Sequence, residues 1–154
     1  MKIYNDFDTS LKKALSEIDP KWRDYDGLIV TGTHTPHNPE IIIDEIKIAR
    51  EQGTPTLLIC FGHQLGAIEY ARNVKGIKDA TSEEWGLGTF VVKKRPYLKV
   101  GLHDGESWWS NYFVDIEYLP PDNFVSVPFH PEYHSSIDEP HPVLVKFLNI
   151  CKKK

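Results

Sequence analysis

Short apolar runs and helical stripes take turns along this chain. Met1–Tyr4 and Leu28–Thr31 read as brief strands, and Thr56–Ile59 as a third. Apolar character without alternation is what a parallel strand covered on both faces requires. Between these runs the apolar positions fall three and four apart, the spacing of one helical face. Leu11, Leu15 and Ile18 make one stripe, behind a cap at Thr9 or Ser10 and ahead of a stop at Asp19-Pro20. Ile42, Ile43, Ile46 and Ala49 make a second, opened by Asn38-Pro39-Glu40 and closed by Gly53. Leu65 and Ile68 begin a third that runs to Asn73. Strand and helix in alternation predict a mostly parallel sheet with helices on both faces.

The second half is more broken. Ile77–Trp85 reads as a loop. Gly88–Lys94 and Tyr97–His103 read as strands of a hairpin over Arg95-Pro96, and Tyr112–Tyr118 and Phe124–Val127 as two more strands. Trp108, Trp109, Tyr112 and Phe113 form a dense aromatic group suited to core packing or a lid. A last helix, about Pro142–Cys151, buries Val143, Leu144, Phe147 and Leu148. With 154 residues and no repeat, the chain predicts one domain over residues 1–154, large enough for a hydrophobic core.

Cys60 adds chemistry to this pattern. It stands where the strand Thr56–Ile59 gives way to a helix, with Gly62 two residues on. A strand, a sharp turn carrying a nucleophile, and a helix make up a nucleophile elbow. The helix N-terminus favours the thiolate. The plainer reading is a buried structural cysteine. Val125–Glu132, VSVPFHPE, supplies what a cysteine nucleophile needs: a base and a group to orient it. In an extended segment His130 and Glu132, two apart, point to the same side.

CFGHQ at Cys60–Gln64 and FHPE at Phe129–Glu132 resemble the class I glutamine amidotransferases, whose signature is Gly-x-Cys-x-Gly-x-Gln with a His-x-Glu pair near the C-terminus. Within that family, Gly62–Trp85 and Val125–Leu148 look most like the glutaminase domain of CTP synthase, and the likeness runs from about Gly27 to the end. The resemblance implies a flavodoxin-like three-layer sandwich that hydrolyses the side-chain amide of glutamine, or a related γ-glutamyl amide, through a thioester on Cys60. His130 would be the base and Glu132 its orienting carboxylate. Backbone N–H groups of Phe61 and of the Gly32-Thr33 loop would form the oxyanion hole. Gln64, Glu84 and His103 would line the substrate site, with no cofactor and no metal. Ammonia would pass to a synthase.

The chain departs from the family pattern in four places. Its N-terminal portion is abbreviated, which predicts a changed sheet edge that a partner chain covers. Thr33 replaces the second glycine of the oxyanion loop and does not readily adopt positive φ. Leu58 stands where the signature has its first glycine, and would crowd the elbow unless a neighbour has shrunk. Lys99–Asn111, KVGLHDGESWWSN, lacks the arginine that would hold the substrate carboxylate. The missing arginine favours a free-standing hydrolase of another γ-glutamyl amide. Leu58 and Thr33 favour a non-catalytic regulatory subunit that keeps the fold.

Composition narrows the setting. A net charge of −4 gives nothing for nucleic acid or an anionic membrane to grip. Two cysteines, Cys60 and Cys151, are no disulfide framework, and with no membrane span and no signal peptide in MKIYNDFD they predict a cytoplasmic protein. His34 and His37 lack the further ligands of a metal site. The expected partners are the amide substrate and either a synthase or a second copy of the chain.

Overall fold

A computed structural model describes residues 1–4, 9–33, 38–95 and 111–153. His34, His37, His103, Trp108, Trp109 and the strand expected over Tyr97–His103 lie outside the described residues. So does the arginine-free segment, apart from Asn111.

The centre is a four-stranded parallel sheet in the order β1-β2-β3-β7: β1 (Lys2–Tyr4), β2 (Leu28–Val30), β3 (Thr56–Ile59) and β7 (Phe124–Val127). Every residue of β2 and β3 is buried, as their unalternating sequences require. Side chains still divide between two faces, because neighbours along a strand point opposite ways. Leu28, Val30, Leu58 and Phe124 join the core under α2 (Pro39–Gln52) and α3 (Phe61–Asn73). Ile29, Leu57, Ile59 and Val125 join the core under α1 (Thr9–Ile18) and α4 (Pro142–Lys152). This is the three-layer sandwich.

A second sheet in the order β4-β5-β6 packs beside α3 and adds Ala80, Val91 and Val92 to its core. Its strands are β4 (Ala80–Ser82), β5 (Thr89–Lys94) and β6 (Tyr112–Val114). Here the sequence expectation fails twice. β4 lies inside the stretch read as a loop, because its pairing with β5 carries the order that ATS lacks in periodicity. β6 stops at Val114, where Asp115 N–H still reaches Val91 O, rather than running to Tyr118.

Two smaller differences concern helix ends. Asn38 flanks α2 in the left-handed region (φ 49°) with no side-chain cap, whereas Gly53 closes the helix at φ 71° with its N–H on Ala49 O. In α4 the buried face takes Cys151 with Leu144, Phe147 and Leu148, while Val143 packs at its margin. Forked ion pairs tie α2 to α3: Arg50 to Glu69 at 2.8 and 3.0 Å, and Arg72 to Glu40 at 2.6 and 2.9 Å.

Candidate active site

Parallel strands end on the same edge of a sheet, and ligands in such folds sit at that carboxyl edge. Here the edge gathers the Gly32-Thr33 loop after β2, Cys60 after β3, and His130 three residues past β7. Cys60 N–H donates to Val127 O at 2.9 Å, which joins the elbow directly to the strand that leads to His130.

Cys60 has φ 54° and ψ −103°, a conformation rare for a residue with a Cβ. Such strain costs about 1–3 kcal/mol and persists only where the surroundings dictate it. Gly62 supplies much of that constraint. A Cβ there would lie 2.2 Å from Val30 O, so only glycine lets the first turn of α3 sit down on β2. The thiol is thereby held at the start of a 13-residue helix, beside N–H groups that have no partner within the helix.

Leu58 does not crowd the elbow. A Cβ on Gly66 would lie 2.5 Å from Leu58 Cδ1. The neighbour has shrunk: the space given up by Gly66, six residues past Cys60, holds the leucine.

His130 Nδ1 lies 3.0 Å from Glu132 Oε2, whose side chain is fully buried. The link does not come from an extended segment, as expected. Pro131–His134 is a short 3-10 turn begun by Pro131, and the turn brings the carboxylate under the ring. Cys60 stands beside the same ring, both lying against the position that a Cβ on Gly32 would take. Burial works against the charged form of His130, but Cys60 and Glu132 together outweigh burial and carry the imidazole from 6.5 up to about 10. The imidazole beside the thiol is therefore held in its charged form.

Gly32 seals this arrangement. A Cβ there would be 2.8 Å from His130 Cε1 and 3.4 Å from Cys60 Cβ. Thr33 beside it raises no strain, because neither residue is in the positive-φ region. The loop makes no demand for a second glycine. Phe61 and Gln64 sit in the first turn of α3, both buried, and Gln64 Oε1 has no partner among the described residues. Glu84 lies on the turn after β4, with its N–H on Ser82 Oγ at 3.1 Å. It is thus placed by the second sheet rather than by the elbow.

Sequence reasoning missed His63. Its Nδ1 lies 2.7 Å from Ser126 Oγ of β7, its ring is tilted against Tyr118 at 5.3 Å, and burial pushes it down to about 4. A neutral imidazole thus forms a second bond between the nucleophile helix and the base-bearing strand. The one sequence signal was a second polar residue, beside Gln64, in the first turn after the cysteine.

Among the described residues no group of three or more His, Cys, Asp or Glu could hold a metal, and no helix is long and apolar enough to cross a membrane.

Known proteins share this chain's sequence pattern and fold. CTP synthases from Bdellovibrio bacteriovorus (31% identity over 84% of this chain), Thermotoga maritima (30% over 94%) and Sulfolobus acidocaldarius (45% over 93%) are similar in sequence. The match takes in 35%, 38% and 37% of those proteins, so the chain spans little more than a third of their length. A CTPS glutaminase domain from Trypanosoma brucei with bound acivicin has the same fold, with a TM-score of 0.76 at 16% identity over 97% of this chain and 89% of that one. Residues 4–105, which include Gly32, Cys60 and Glu84, match the family model for class-I glutamine amidotransferases. The chain belongs to the class-I glutamine amidotransferase family.

Proposed function

We propose that this chain hydrolyses the side-chain amide of glutamine or a related γ-glutamyl amide through a thioester on Cys60. The observation that carries the proposal is the convergence of Cys60, His130 and Glu132 at the carboxyl edge of the sheet, with His130 bonded to Glu132 and Cys60 beside its ring. The Cys60 thiolate attacks the amide carbon. N–H groups of Phe61 and of the Gly32-Thr33 loop receive the charge that develops on oxygen. The C–N bond breaks as the His130 imidazolium gives its proton to the leaving nitrogen, and ammonia departs. Neutral His130 then takes a proton from water as the water attacks the thioester. The C–S bond breaks, the acid product leaves, and the thiolate–imidazolium pair returns. Glu132 keeps the second nitrogen of His130 oriented throughout. Gln64 and Glu84 contact the bound substrate, Glu84 through its ammonium.

The similar proteins are CTP synthases, so we assign the ammonia to a synthase partner. A working thiol suits a reducing compartment such as the cytoplasm.

One observation favours a substrate other than glutamine. Arg50 and Arg72 are committed to Glu69 and Glu40, Arg23 lies over Trp22, and Lys99–Asn111 contains no arginine. Arg95, whose guanidinium lies over Phe113, borders that segment. Without a charge-assisted partner for the α-carboxylate, worth about 2 kcal/mol, KM for glutamine rises by roughly thirty-fold. Gly66 accommodates Leu58 and Thr33 needs no positive φ, which supports the catalytic reading over the regulatory-subunit one.

The test is release of ammonia and of the acid product from glutamine and from γ-glutamyl amides of varied size. Turnover abolished by Cys60→Ala is expected. No turnover of any such amide, with or without a synthase partner, would refute the proposal. A KM for glutamine well below a millimolar on the chain alone, with no better substrate, would remove the second reading.

A further inference from the structure

Tyr133 follows Glu132 in the 3-10 turn and plays no part in the chemistry above. It is 48% exposed, yet its ring lies against the site. It lies nearly parallel to the imidazole of His130, with centroids 5.0 Å apart and planes 19° apart. A single bond at Nδ1 fixes where one corner of the imidazole sits but leaves the ring free to tilt about that bond. Tilting would swing the other nitrogen away from Cys60. An aromatic face laid along the ring resists the tilt, and Gly32 closes on the same ring at Cε1. The ring face also attracts a cation, so it favours imidazolium over imidazole.

Resting on the hydrolase reading, we propose that Tyr133 is a positioning residue for His130, its ring face holding the imidazolium in the plane that presents the free nitrogen to Cys60. Among the described residues, charged and titratable groups that bear on His130 include Cys60 from the elbow and Glu132 from its own turn. Tyr133 adds a contact that carries no charge of its own. A hydrogen-bonding role for its hydroxyl would be a different device, and it is separable by substitution.

The experiment follows the His130 ring signal by NMR against pH, beside steady-state kinetics, in the wild-type chain, Tyr133→Phe, Tyr133→Leu and Tyr133→Gln. Tyr133→Phe keeps the ring and should match wild type in both readouts. Tyr133→Leu should lower the His130 titration by about half a unit, and kcat by about tenfold with KM within about twofold. Tyr133→Gln is a second ringless variant, and should do the same. An unmoved titration and unchanged kcat in the ringless variants would overturn the proposal. So would a Tyr133→Phe variant as damaged as Tyr133→Leu, because that points to the hydroxyl. The titration needs no turnover. An inactive wild type would therefore count against the hydrolase and leave the ring contact to be judged on its own readout.

Discussion

Gly32→Ala isolates one distance. The added methyl would stand 2.8 Å from His130 Cε1, where carbon atoms ordinarily rest at about 3.5–4.0 Å. The imidazole must then retreat by roughly 0.7–1 Å, and Tyr133 and Glu132 oppose the movement. Gly32 is not at positive φ, so alanine meets no backbone penalty and its N–H stays in place. Any loss therefore comes from separating His130 from Cys60, and not from a lost oxyanion donor. A misplacement of about 1 Å costs on the order of 10²-fold in rate, equivalent to about 2.7 kcal/mol of barrier. The assay is kcat/KM for ammonia release, with alkylation of Cys60 by iodoacetamide as a second reading of the thiolate. Both should fall together, while the loop position of Gly32 holds the drop in melting temperature to a few degrees. Activity within about twofold of wild type would refute the tight approach of Gly32 to the base.

Three further outcomes are expected. A diazo-ketone analogue of glutamine should label Cys60 well before Cys151, which is buried and pushed up to about 11, with mass spectrometry of the digest as the check; Cys60→Ala and His130→Ala should each lower kcat by about 10⁴ or more and Glu132→Ala by less. Gly66→Ala should destabilise by about 1–3 kcal/mol in urea unfolding, and Leu58→Ala should relieve part of that cost, so the double mutant loses less than the sum. Burial works against the His130 imidazolium, but Cys60 and Glu132 hold it up at about 10, above the ordinary 6.5. Its contribution to stability is complete below 6.5 and is lost as pH rises through about 10, so melting temperature and kcat should both fall there.

What could be read from the sequence follows the range of the interactions. The elements α1 to α3 and the parallel strands between them were legible because periodicity and breakers such as Asp19-Pro20 and Gly53 act over a few residues. β4 was not, since three residues of ATS take their order from β5. Leu58 looked like a misfit for the same reason. Its compensation sits at Gly66, and only the rotation of α3 over β3 shows the two in contact. His63 and Ser126 are 63 positions apart, and nothing local to either announces the bond. The closeness of Cys60 and His130 follows from β3 and β7 being parallel neighbours, a pairing that carries both residues to one edge.

That same pairing governs when the thiol becomes reactive during folding. β3 lies beside β2, close in sequence, but its other neighbour β7 arrives some seventy residues later, with Thr56 opposite Phe124 and Ile59 opposite Val127. Contacts across so long a loop form late, because the closure entropy must be met before the pairing repays it. Until β7 docks, Cys60 N–H lacks its acceptor at Val127 and the thiol lacks its imidazole. A growing or partly refolded chain is thus chemically quiet, and its nucleophile is switched on by the last strand of the central sheet.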